Sequence, residues 1–303
     1  MQGIWHKFAR ECRCTETSRR EIMALLGLLY LIGTRKGHHA NVRELWTADG
    51  TGVQILRACM SYDRVLFLLW YIRFDDLQTR PGRRQTDKLA PICTILDIFV
   101  KNCQQCYNTS EFTTTDEMLH PFRGRCSFIQ YMPNKPAKYG VKIFALCDAK
   151  TFNCSNLEIY CGKQPPGPYD VRNTPTDIVK RLVSPIENSY KNVTTDNWYT
   201  NIPLLHYLLE KKTTLLGTIK KNKREIPPEF LPKKPEIILD YNMTKGGVDT
   251  CDKMCALYSV SRVTRRWPLA VFYILMNIAG INSWVICIPS AHHLMNRNAE
   301  YFS

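Results

Sequence analysis

The sequence predicts an α/β protein, a mixed sheet flanked by helices and preceded by an α-helical region. Three observations carry that expectation. Up to residue 108 apolar residues cluster with helical spacing; from there β-branched runs alternate with amphipathic helical segments; and the chain returns to helices from Val248 onward.

In the first region the apolar clusters are Ile22 to Leu26, Val65 to Trp70, and Ile92, Ile95, Leu96 and Phe99. Turn residues separate them: Gly33, Asp49-Gly50, and Pro81-Gly82 within a polar stretch from Asp75 to Asp87 that suits an exposed loop. Next come a strand at Glu111 to Thr115, a hairpin of Lys142 to Cys147 with Cys154 to Tyr160, and a helix around Thr176 to Ile186. A strand at Asn192 to Thr195, a helix from Ile202 to Lys211 and a strand at Leu215 to Lys220 follow. The order β-β-β-α-β-α-β fits three antiparallel strands extended by parallel ones, an RNase H-like arrangement that other α/β folds share.

The 303 residues are 45% hydrophobic, enough for one large core, which excludes a disordered chain. A net charge of +14 favours polyanionic partners, nucleic acid first, although a merely soluble basic protein has the same balance. The 13 cysteines are odd in number, and the first 20 residues do not read as a secretory leader, so a reducing compartment is expected. Only Cys103-Gln-Gln-Cys106 has zinc-like spacing; it lacks a second pair, and no structural zinc is expected. Trp267 to Cys287 is uncharged and long enough to cross a bilayer, but it contains Asn277, Gly280, Asn282 and Ser283, and reads as a core helix; no membrane partner is expected.

Four aspartates carry the candidate chemistry. Asp116 and Asp196 each close a β run, and would meet at one sheet edge if those strands are neighbours. In Lys245-Gly-Gly-Val-Asp249-Thr-Cys-Asp252 the glycines permit a tight entry to a helix, and the i, i+3 spacing puts both aspartates on one face. Grouped carboxylates can hold two Mg²⁺ or Mn²⁺ ions for phosphodiester displacement. Taken singly, Asp196 and Asp249 also read as N-terminal helix caps or dipole partners, and Asp116 as the end of a strand in a turn. Basic residues cluster around these positions: Arg123, Arg125, Lys135, Lys138 and Lys142 after Asp116; Lys221, Lys223 and Arg224 after the last strand; Lys245; and Arg262, Arg265 and Arg266. They suit a double-stranded DNA backbone, or simply solvated loops.

These segments closely resemble the piggyBac transposase family and the transposable element-derived proteins related to it. The matching words are Thr115-Asp-Glu-Met-Leu, Phe122-Arg-Gly-Arg-Cys126, Met132-Pro-Asn-Lys-Pro-Ala-Lys-Tyr-Gly-Val-Lys142, Asp196-Asn-Trp-Tyr-Thr200, Gly217-Thr, Asn222-Lys-Arg-Glu-Ile-Pro227, Thr244-Lys-Gly-Gly-Val-Asp-Thr250 and Arg266-Trp-Pro268, in family order. The resemblance implies an RNase H-like catalytic domain over residues 109–288, a helical dimerisation and DNA-binding region over 1–108, and a tail over 289–303. It makes Asp116, Asp196 and Asp249 the catalytic, metal-holding aspartates, and Asp252 a further one. It also implies DNA strand cleavage and transfer by way of a free 3′ hydroxyl and a hairpin, and a homodimer on DNA in the nucleus.

Two departures stand out. Only a short link over residues 228–243 replaces the family's insertion domain, and the family's cysteine-rich zinc-binding domain is not read after the last helix. A shortened, catalytically inactive DNA-binding protein is the alternative expectation.

Overall fold

The computed structural model describes residues 16–219 and 237–301, so the predicted DNA-binding residues Lys221, Lys223 and Arg224 lie outside the described residues. The chain divides into two compact units, Met1–Ile72 and Arg73–Ser303.

The first unit is helical. Helix α1 (Arg19–Thr34) begins at Ser18, whose hydroxyl accepts the Glu21 N–H, and it buries Leu25, Leu28, Leu29 and Ile32, a stripe at i, i+3, i+4 and i+7. After α2 (Gln54–Cys59), helix α3 (Tyr62–Tyr71) is capped by Ser61 and buries Val65, Leu68 and Leu69. Arg64 joins α3 to α1 through a paired contact with Glu21, at 2.5 and 2.7 Å.

The second unit is built on an open six-stranded sheet. Strands β1 (Phe112–Pro121), β2 (Gln130–Tyr131), β3 (Tyr139–Asp148), β4 (Cys154–Ile159), β5 (Asn192–Thr195) and β6 (Thr214–Gly217) take the order β2-β3-β1-β5-β6, with β4 also on β3. β1, β3 and β4 are antiparallel; β5 and β6 add in parallel to β1. This is the mixed sheet the element order predicts, with the two-residue β2 as an addition.

Alternation along the strands gives the sheet two different faces. Phe144 and Leu146 of β3 pack with α5 (Pro175–Val183) and α6 (Ile202–Glu210) around Ile178, Leu182, Leu204 and Leu208. The opposite face receives α8 (Gly247–Leu257), which follows α7 (Ile237–Thr244) and contacts β1, β3 and the long α9 (Trp267–Tyr301). Helix α4 (Cys93–Cys106) packs on β4.

The apolar stretch Trp267–Cys287 is 67% buried within the protein. Its polar residues dock it: Asn282 accepts the Cys154 N–H at 2.9 Å and donates to the Cys154 carbonyl at 2.8 Å, and Asn277 accepts the Val260 N–H at 2.9 Å.

Two local expectations need correction. β1 does not stop at Thr115 but runs on to Pro121, because β3 pairs with it as far as Gly140; the β-branched run ends where carboxylates begin, and cross-strand pairing carries the strand past them. The stretch from Asp75 to Asp87 is largely exposed but anchored, since the buried Asp75 carboxylate takes both Arg80 and Arg83, and Asp87 is itself buried.

Candidate active site

The register of β1 and β5 sets the first pair of carboxylates. Thr113, Thr114 and Thr115 lie beside Val193, Thr194 and Thr195, so the next residues, Asp116 and Asp196, leave the ladder side by side. Asp196 sits just past the end of β5, whereas Asp116 lies in the middle of β1, opposite Ala145. The expectation that both close a strand therefore holds for Asp196 alone.

Hydroxyls and one glycine bring the third element to this place. The Thr114 hydroxyl donates to the Thr244 carbonyl, and the Thr194 hydroxyl to that of Thr244 at 2.8 Å, which fixes the end of α7 against β1 and β5. A Cβ on Gly247 would lie 2.8 Å from Thr114 Oγ1 and 3.2 Å from the Asp148 carbonyl oxygen. Only glycine lets α8 begin this close to the strand. From there α8 carries Asp249 in its first turn and Asp252 one turn on, over the sheet face that also bears Asp116.

Each carboxylate has a nearby donor. Asp116 Oδ1 accepts the Glu117 N–H at 2.7 Å. Asp196 Oδ1 accepts the N–H groups of Trp198 and Tyr199 at 2.9 and 3.3 Å, which shapes the Asp-Asn-Trp-Tyr turn. Asp249 faces Lys135 Nζ at 3.5 Å, and the same ammonium donates to the Glu117 carbonyl at 3.1 Å.

Burial, then the charges of Glu117 and Asp249, push Asp116 up to about 7 against the Glu117 N–H and Lys135, which pull it down. Burial likewise pushes Asp252 up to about 6, with Lys135 opposing and Asp249 adding to the rise. The Asp249 charge thus acts on both Asp116 and Asp252, and carboxylate oxygens are the ligand type a hard divalent cation takes. Among the described residues, however, no three His, Cys, Asp or Glu side chains are grouped closely enough to hold a metal ion. Asp116 and Asp196 each accept backbone N–H groups through Oδ1, and Asp249 faces Lys135.

Glu117, the next residue on β1, points to the other face. Its carboxylate accepts the hydroxyl of the buried Tyr199 at 3.0 Å, and burial with the surrounding carboxylates drives that phenol well above its usual range. Lys142 reaches the same carboxylate at 4.0 Å and lies over the rings of Phe144 and Trp198 at 4.7 and 5.0 Å. Lys142 is thus a packed member of the site's underside rather than part of a solvated basic strip.

The remaining basic residues fall into two groups. Lys138 and Lys245 are exposed, Lys245 above the Tyr241 ring. The turn after β1 and the segment before α9 meet: Arg125 bridges to Arg266, and a Cβ on Gly124 would lie 2.6 Å from the Arg265 carbonyl oxygen. That contact assembles Arg123, Arg125, Arg262, Arg265 and Arg266 into one region, with Arg262 buried and Arg266 half-buried. Arg73, Arg80 and Arg84 join Arg265 and Arg266 around a cavity of about 330 Å³. Burial, then the charges of Arg73 and Arg80, bring Arg266 down to about 10. Sequence reading missed these three arginines, because nothing local ties a polar loop to a segment so distant along the chain.

Comparison with known proteins agrees with this architecture. The family described as Transposase IS4 matches residues 3–236 and 230–284. The human PiggyBac transposable element-derived protein 3 is 22% identical over 242 residues, 76% of this chain and 39% of that protein. The human Chimeric ERCC6-PGBD3 protein is 22% identical over the same length, 22% of its own. The chain thus spans well under half of these two relatives. A piggyBac transposase solved in a synaptic complex with hairpin DNA superposes with a TM-score of 0.85 and 33% identity, over 97% of this chain and 71% of that one. These matches make the chain a member of the piggyBac transposase family.

Proposed function

We propose that the protein is a DNA strand-cleaving and strand-joining enzyme whose carboxylate set is Asp116, Asp196 and Asp249, with Asp252 beside them. The observation that carries this reading is the β1/β5 register, which sets Asp116 and Asp196 side by side while Gly247 seats the Asp249 helix on the same strand. These aspartates would hold Mg²⁺ or Mn²⁺, and bound divalent metal would supply Lewis-acid activation of the attacking oxygen and charge stabilisation of the leaving one. The chain's own cations, from Arg123 and Arg125 to Arg265 and Arg266, would hold the DNA backbone against carboxylate repulsion. A homodimer on DNA, in the nucleus, belongs to the same reading. Its test is the chemistry of the product. Supercoiled plasmid incubated with the protein and Mn²⁺ should acquire nicks whose 3′ ends are free hydroxyls, extendable by a polymerase without prior repair; blocked 3′ ends would sink the reading.

One observation favours a second reading, DNA binding without cleavage. The described aspartates do not converge on a common point, and Lys135 stands against Asp249. Salt-sensitive duplex binding with no nick formed in Mg²⁺ or Mn²⁺ would decide for it.

A further inference from the structure

The parallel ladder between β1 and β5 ends at Thr115 and Thr195, one residue short of both aspartates. Beyond it, the two carboxylates are held by the residues that follow them. The Glu117 N–H donates to Asp116 Oδ1 at 2.7 Å, and the Tyr199 N–H to Asp196 Oδ1 at 3.3 Å, beside the Trp198 N–H at 2.9 Å. Two of these holders, Glu117 and Tyr199, are themselves joined, since the Tyr199 hydroxyl donates to Glu117 Oε2 at 3.0 Å. Lys142 lies 4.0 Å from the same oxygen, so the phenol is the nearer partner. Three hydrogen bonds thus run from one aspartate to the other through Glu117 and Tyr199.

Tyr199 has little freedom to give way. It is fully buried, and its ring meets Trp198 edge-on at 4.6 Å and Phe144, the cross-strand neighbour of Glu117, at 6.4 Å. The Thr200 hydroxyl donates to the Asp196 carbonyl at 2.6 Å, which closes the turn around it. A carboxylate acceptor makes the phenol hydrogen bond one of the stronger kind. Side chains locked by packing hold what they touch in place.

We propose that Glu117 and Tyr199 are positioning residues, a clasp on the underside of the sheet that sets the spacing of the Asp116 and Asp196 carboxylates. Tyr199 is buried, and alternation along β1 turns Glu117 to the face opposite Asp116, so both act through the aspartates rather than on DNA. The role rests on the strand-cleavage reading above and adds to it two residues outside the carboxylate set.

The experiment uses the whole chain and the variants Tyr199→Phe, Glu117→Ala and Glu117→Gln. Each is read twice, by hydrogen exchange of the turn over residues 196–200 without metal, and by kcat and KM of plasmid nicking in Mn²⁺. Tyr199→Phe keeps the ring and removes only the hydroxyl. The two Glu117 variants lose the same charge, and glutamine alone keeps an oxygen for the phenol. Tyr199→Phe and Glu117→Ala should exchange the turn faster and lose about tenfold to a hundredfold in kcat, the range for a misplaced reacting group, with KM for plasmid unchanged. Glu117→Gln should recover most of what Glu117→Ala loses in both readouts, and Tyr199→Phe combined with Glu117→Ala should cost no more than either alone. Turn exchange unchanged in Tyr199→Phe would overturn the clasp, whatever the nicking rate. Faster exchange with wild-type kcat would overturn its positioning role and leave the strand-cleavage reading standing. Equal losses in Glu117→Gln and Glu117→Ala would assign the effect to charge and overturn the clasp as well. A wild type that does not nick would remove the strand-cleavage reading, and the positioning role with it.

Discussion

Thr115 of β1 lies beside Thr195 of β5 in a parallel ladder, and each is followed by an aspartate. Two carboxylates distant in sequence therefore emerge together from the sheet, and the consequences of that arrangement can be measured.

The stability of the metal-free protein should depend on Asp116 in a direction set by its burial. Its folded pKa is raised from 3.8 to about 7, so the folded state holds the proton more tightly than the unfolded one. The residue then imposes no penalty below its unfolded value; the penalty grows as pH rises towards about 7 and is complete above it. Asp116→Asn, which keeps the oxygen that accepts the Glu117 N–H, should match the wild type in Tm at the acid end and exceed it at neutral pH. A Tm difference independent of pH would contradict this.

Gly247→Ala should cost stability and activity together. The added methyl group would meet Thr114 Oγ1 at 2.8 Å, and overpacking of this kind typically costs about 1–3 kcal/mol. Because α8 must move off β1 to accept it, Asp249 moves as well. Denaturant unfolding beside a nicking assay checks both; a variant with full activity would show that the close approach does not position Asp249.

Lys135 competes for Asp249 with any incoming cation. The pair is 3.5 Å apart with Asp249 two-thirds exposed, and such a contact contributes at most about 1 kcal/mol. Lys135→Met should thus tighten Mn²⁺ binding by no more than about fivefold, measured by titration calorimetry or electron paramagnetic resonance. Weaker Mn²⁺ binding would instead mean that Lys135 organises the carboxylates for metal.

Gly124→Ala should weaken DNA binding with little effect on the aspartates. A Cβ there would lie 2.6 Å from the Arg265 carbonyl oxygen and closer still to the Phe122 ring, so the turn carrying Arg123 and Arg125 would separate from the Arg265 segment. Duplex affinity by anisotropy should fall while Mn²⁺ affinity holds; a fall in both would show that the turn also supports the metal-binding edge.

Much of the sheet was legible because its strands carry local cues. The Thr113 to Thr115 and Asn192 to Thr195 runs are rich in β-branched residues, and both lie in strands in parallel register. Their partnership was a conditional reading, since register is a tertiary fact. The continuation of β1 through Asp116 and Glu117 was not legible, because β3 rather than β propensity holds it there. The close approaches of Gly247 to Thr114 and Gly124 to Arg265, and the convergence of Arg73, Arg80 and Arg84 on Arg266, join segments far apart in sequence. Lys135 read as one basic residue among many; its place against Asp249 depends on how the loop after Tyr131 folds back over β1.

The most direct test of the proposed site is plasmid nicking in Mn²⁺ by the wild type and by Asp196→Asn. Asparagine keeps the oxygen that accepts the Trp198 and Tyr199 N–H groups, so the turn should remain intact while the carboxylate charge is lost. The wild type should nick, and the variant, equally stable and equally able to bind duplex DNA, should not. Equal nicking by the two proteins would contradict the assignment of Asp196, and with it the site that the β1/β5 register defines.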